Sequence, residues 1–195
     1  MEPASLNEQA LNEQALNAQA LKAQALNATS LQASEAAVAT CRQLAAADPL
    51  HDRDLALALT RLSNRLSCAL SARKALVAAE EAVHIFQRIA DADPNADGSD
   101  LARALNVFAL RLVEVGRRDK ALYESKRSVS MRRTLVTADS SDVDGPTQAQ
   151  TDLAESLETL SLCLRELGRD QESRNAATEA DGIRARLRSS RTDHF

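Results

Sequence analysis

DLALALTRLSNRL (residues 54–66), DLARALNVFALRL (100–112) and DLAESLETLSLCL (152–164) are one pattern written three times. Asp100 follows Asp54 by 46 residues and Asp152 follows Asp100 by 52, the spacing of helical arrays rather than of propeller blades or coiled-coil heptads. A unit of this size has no interior of its own. It is stable only when stacked on its neighbours, so the expected product is a curved array that offers one long surface.

Superimposing the copies separates core from surface. Large apolar residues recur at Leu59, Leu105 and Leu157, then at Leu62, Phe108 and Leu160, then at Leu66, Leu112 and Leu164. Small residues follow the second set at Ser63, Ala109 and Ser161, and return further on at Ala75, Ala121 and Ser173 and at Ala82, Ser128 and Ala180. Large side chains on one helical face with a small one between them let two helices approach closely. The alternation predicts helices at 31–47, 53–69, 73–92, 100–115, 119–138, 149–167 and 170–188. Asp54, Asp100 and Asp152 fall at predicted helix starts, where a carboxylate caps free amides, and Asp152 with Glu155 has the spacing of a capping box. Gly116 and Gly168 suit left-handed stops between paired helices. Leu70 holds that place in the first copy, which predicts a differently built turn.

Composition agrees with helices. Hydrophobic residues make up 44% of the 195, enough for a core, but aromatics only 2%, so the interior is built from Leu, Ala, Val and Ile. The net charge of −4 gives no overall field for phosphate backbones, which argues against nucleic acid as a partner. Cys41, Cys68 and Cys163 are widely separated, with no CxxC pair, so neither a disulfide framework nor a zinc site is implied. An acidic amino terminus (MEPASLNEQA) and the lack of a long apolar run predict a cytoplasmic protein without membrane association.

Residues 5–34 are organised in pentads, with leucine at Leu6, Leu11, Leu16, Leu21, Leu26 and Leu31. On an α-helix a step of five residues turns the side chain by roughly 140°, so no stripe forms. A right-handed β-helix is the other reading of such a period, but its small residue two places before the leucine is here Gln9, Gln14, Gln19 or Gln24. A low-complexity tract of helix formers, helical or disordered, fits better. The loop 139–151, DSSDVDGPTQAQT, places Ser140 and Ser141 before acids, a pattern that suits an acid-preferring kinase and also an ordinary solvated loop. The arginines of the tail, Arg184, Arg186, Arg188 and Arg191, complement the dipole at the end of a last helix.

The large, large, small, large order, with Gly at the turn and two spaced small residues beyond it, resembles the tetratricopeptide repeat. The DLAxxL openings, NRLS (64–67), GRR (116–118) and EEAVHIF (80–86) are similar to its longer variants in fungal and bacterial signalling proteins and, more distantly, in kinesin light chains. The resemblance implies an all-α right-handed superhelix of antiparallel helix pairs over residues 31–188, preceded by the tract 1–30 and followed by a tail at 189–195. It comprises about three repeats plus a half repeat, since EAAVATCRQLAAADP (35–49) matches the second-helix stretch EEAVHIFQRIADADP (80–94). Two family features are missing: the aromatic in the middle of the second helix, replaced by Ala79, Ser125 and Ala177, and the proline that closes it.

The resemblance also implies where a partner sits. In the family the concave face is lined by first-helix residues between the core rows, here Arg61, Asn64, Arg103, Asn106, Val107, Leu110, Val113, Glu155, Glu158, Thr159, Leu162 and Glu166. Basic residues lie toward the first copy and acidic ones toward the third. The expected function is a non-catalytic scaffold holding a peptide or partner domain, with no cofactor or metal and with self-association through the array ends open. The carboxylate clamp of chaperone-binding relatives is not expected, because only Asn64 matches it and Glu155 stands in place of a lysine. A sensor fragment of a larger nucleotide-binding signalling protein is the alternative. An enzyme is not expected: His51, His84 and His194 are dispersed, Cys41 takes the place of Phe86, and Cys68 and Cys163 align with Glu114 and Arg111, which predicts exposed thiols.

Overall fold

The computed structural model describes residues 28–93, 98–138 and 148–192, all of them helical or in short turns with no strand among them. A first helix, α1, runs over 28–47, and a 3-10 turn at Pro49–His51 leads into α2 (Asp52–Cys68). The others are α3 (Ala72–Ala92), α4 (Ser99–Glu114), α5 (Arg118–Ala138), α6 (Gln148–Glu166) and α7 (Asp170–Thr192). Most of the pentad tract and the segment with Ser140 and Ser141 lie outside the described residues, but 28–30 already belong to α1, and α7 takes in the first residues of the predicted tail.

Three antiparallel pairs, α2/α3, α4/α5 and α6/α7, stack in order, α3 against α4 and α5 against α6, as an α-α solenoid. The leucine rows hold the pairs together. Leu66, Leu112 and Leu164 are buried, as are Leu59, Leu105 and Leu157. Each fully buried leucine removes apolar surface worth about 1.5–3 kcal/mol from water. The small positions let the pairs close: Ala75, Ala121, Ala82 and Ser128 have no exposed surface, and Ser63 Oγ donates across its pair to the Ala75 carbonyl at 2.8 Å. Ala79 and Ser125, where the family carries an aromatic, are also buried, so their helices close in on them.

All three turns are the same motif. The amides of Ser71, Arg117 and Arg169 bond back to the carbonyls of Leu66, Leu112 and Leu164 at 2.9, 2.8 and 2.9 Å, with a left-handed residue between. That residue has φ of +75° at Gly116, +70° at Gly168 and +56° at Leu70. The expectation of a different first turn is therefore wrong. The leucine accepts a backbone conformation that crowds its own Cβ, with its side chain 94% exposed.

The repeated aspartates do not cap their helices. Asp54 and Asp100 sit inside the first turns, behind His51 and Gly98, which make no side-chain cap bond, and Asp152 lies well inside α6, so the predicted capping box does not form. Asp100 and Asp152 are cross-ties instead, while among the described residues Asp54 meets only His51, just before its helix. Asp100 accepts from Arg53 of α2 at 2.8 Å, and Asp152 meets the buried Arg132 of α5 at 2.7 Å. Other ties repeat the logic: Arg42 to Glu81 at 2.6 Å, Lys120 to Glu80 at 3.0 Å and Arg133 to Glu179 at 2.8 Å each reach from one helix pair to the adjacent one. Exposed pairs of this kind contribute about 0–1 kcal/mol each, so they set register more than stability.

Candidate functional site: the inner face of the first helices

The direction of curvature decides which surface is enclosed. The backbones of α2 and α4 and of α4 and α6 come close, whereas those of α3, α5 and α7 do not, and these helices meet through long side chains. The first helices are thus crowded on the inside of the curve and the second helices splay on the outside, where long Lys and Arg side chains bridge the gaps.

Each first helix has a face for the core, a face for each neighbouring first helix and a remaining inner strip. Val107 and Thr159, two of the expected partner-binding residues, occupy the neighbour face and are buried beneath α2 and α4, so they are unavailable to a partner. Their copies are equivalent to Arg61, which is exposed beside Ser30 and Ala33 of α1, where no earlier first helix is described. Val113 packs against the main hydrophobic cluster, and Asn106 is half-buried with its Oδ1 enclosed and without a hydrogen-bond partner among the described residues.

Several of the remaining charges are committed internally. Arg103 holds Asp100 at 2.6 Å, Glu166 accepts from Arg118 at 3.3 Å, and Glu158 is paired with Arg184 of α7. Arg61 and Glu155 make no ion pair among the described residues, and Asn64 is exposed. Leu110 and Leu162 are half-buried and belong to neither hydrophobic cluster. Asn64, Leu110 and Leu162 are the same position in successive copies, so the inner strip reads polar, apolar, apolar along the array.

The thiol reading needs correction. Cys163 is completely buried, not exposed, because its counterpart Arg111 is itself an interior residue, donating to the Ser63 carbonyl at 3.3 Å and to Glu114 at 3.0 Å. Burial pulls the Arg111 guanidinium below its ordinary pKa and pushes the Cys163 thiol up, the latter opposed by a hydrogen bond with Ser125. A raised, enclosed thiol is a poor nucleophile. Cys68 is exposed and Cys41 half-buried. Among the described residues no three His, Cys, Asp or Glu side chains are placed to hold a metal ion, and no helix is long and apolar enough to cross a membrane.

No family model matches the chain, and no curated protein matches it. Among solved structures, BtubC (BKLC) from P. vanneervenii is similar over 83% of this chain and 92% of its own, at 13% identity and a TM-score of 0.25.

Proposed function

We propose that the protein is a non-catalytic scaffold of the tetratricopeptide type, which holds a peptide or partner domain along the inner strip of α2, α4 and α6. The observation that carries this reading is the pair Leu110 and Leu162: two equivalent leucines, partly open to solvent and outside both hydrophobic clusters, on the enclosed side of the curve. A folded array has no internal use for that repetition, whereas an extended or helical ligand laid across successive repeats covers such a row. Arg61, exposed at the α1 end beside the strip, and Glu155 on α6, neither in an ion pair among the described residues, give the surface opposite charges at its two ends and so a preferred direction for the ligand. Of the two charges first expected at the basic end, only Arg61 is available, because Arg103 is tied to Asp100.

Photocrosslinking tests this directly. A photoreactive residue installed in place of Asn64, Leu110 or Leu162 should trap the same protein from a lysate, while one in place of Ser130 on α5 should not. Different adducts from the three inner positions, or the same adduct from position 130, would show that the inner strip is not the binding surface.

A further inference from the structure

A second surface lies away from the inner strip, between α1 and α3, and stands independently of the proposed scaffold reading. There a groove of about 360 Å³ is floored by Leu59, Leu62 and Leu66 of α2 and walled by Val77, whose side chain is 63% exposed. The equivalent place one copy further on, between α3 and α5, shows why the groove is open. Phe108 stands where the first copy has Leu62 and is buried; Lys120 lies 4.9 Å over its ring and bonds Glu80 at 3.0 Å, roofing the gap. Tyr123, in the place of Val77, is exposed like it, with the Arg127 guanidinium 5.9 Å from its ring centroid. In the first copy the same lysine and acid are Lys74 and Glu35, and neither makes an ion pair among the described residues. A smaller floor residue, with Arg42 to Glu81 at 2.6 Å as the tie between α1 and α3 in place of a lysine roof, leaves a trough above the buried leucines in which Val77 is exposed.

The charge at the mouth is mixed with a cationic excess: Arg42 and Glu81 pair with each other at 2.6 Å, Glu35 stands on the α1 side, and the two cations left over lie together on α3. Arg73 and Lys74 occupy the first turn of α3, which contains no acid, and neither is paired among the described residues. By contrast α2, α4, α5 and α7 all carry aspartate in that turn. A helix start is already the positive end of its dipole, so two cations there concentrate positive potential at the α3 end of the trough, facing Glu35 across it. Flanking helices, a leucine floor and a cationic rim are the complement of an amphipathic helix with leucines on one face and carboxylates beside them.

We propose that this groove docks an acidic, leucine-bearing helical segment of another protein. The test is selection of short random peptides displayed on phage against the full chain, with counter-selection on Arg73→Glu/Lys74→Glu. Two glutamates in the first turn of α3 suit its dipole, so the variant keeps its fold, and an unchanged melting profile checks that. Peptides retained by the wild type and rejected by the variant should carry Asp or Glu next to leucines at helical spacing, and a resynthesised one should bind Val77→Asp weaker by about tenfold or more. Peptides without acidic bias, or equal binding to all three proteins, would overturn the proposal. So would a gain of about tenfold or more when residues 1–27 are removed, which would make this chain's own leucine tract the occupant. A dimer abolished by the same substitutions would overturn it in favour of a second copy.

Discussion

Replacing Leu70 with glycine should make the protein more stable, although it deletes a large apolar side chain. The residue closes the α2/α3 turn at φ +56°, where an L-residue is disfavoured by about 1–2 kcal/mol because its Cβ crowds the following carbonyl. Its side chain is 94% exposed, so truncation gives up almost no burial. Against the relief stands the greater freedom of glycine in the unfolded chain, about 0.4–1 kcal/mol. The difference of the mid-values is a gain of about 0.8 kcal/mol, which for a chain of this size raises the melting temperature by roughly 2–3 °C. Leu70→Ala is the control, since alanine keeps the Cβ and with it the strain. The reverse change, Gly116→Leu, puts the same penalty into the second turn, where a Cβ meets no neighbour within 4 Å and the loss is conformational rather than steric against the core. Paired urea and thermal melts of the variants decide the matter. Leu70→Gly no more stable than wild type, or Leu70→Ala gaining as much, would refute the argument from backbone strain.

Leu105→Ala, at a completely buried position of the central pair, should cost about 2–5 kcal/mol in urea denaturation, whereas truncating Leu50, which is 84% exposed, should change little. Cys68 should react with a thiol reagent at a rate close to that of a free thiol, while Cys163 reacts only as fast as the array opens, a contrast that peptide mapping of time-quenched samples reads out. Because the folded Cys163 thiol titrates above its unfolded value, the unfolded chain loses that proton first as pH rises. Stability should therefore fall with increasing pH above about 8.5, and the fall should be shallower in Cys163→Ala. Identical pH slopes for the two proteins would remove Cys163 as the cause.

Much of the fold was legible because it is repeated. Three aligned copies identify Leu59, Leu105 and Leu157 as interior without any knowledge of what they touch, and the predicted helix limits fall close to the observed ones. What failed to show were properties of neighbours rather than of segments. Asp100 looks like a cap in its own helix; only the preceding copy supplies the Arg53 that claims it. Cys163 looked exposed because it aligns with an arginine, and nothing local says that Arg111 is buried against the preceding helix pair. The burial of Val107 and Thr159 is hidden for the same reason, since a face toward the preceding copy is invisible in a single repeat. The signal was available: positions 107 and 159 are less polar than the flanking 103 and 155, a sign that the array covers them. The α1/α3 groove is not legible in the aligned first helices, because Val77, Arg73 and Lys74 stand on a second helix.

The ties from Arg53 to Asp100, Arg42 to Glu81 and Arg133 to Glu179 each span a single step of the array. The α2/α3 and α4/α5 pairs thus carry a socket on one side and a plug on the other, and none of these ties reaches a residue two steps away. Such a chain can grow or shrink by whole copies through duplication or loss of coding sequence, because a newly inserted pair brings both halves of the joint with it. Its overall length is a quantity that selection can vary without redesigning any junction.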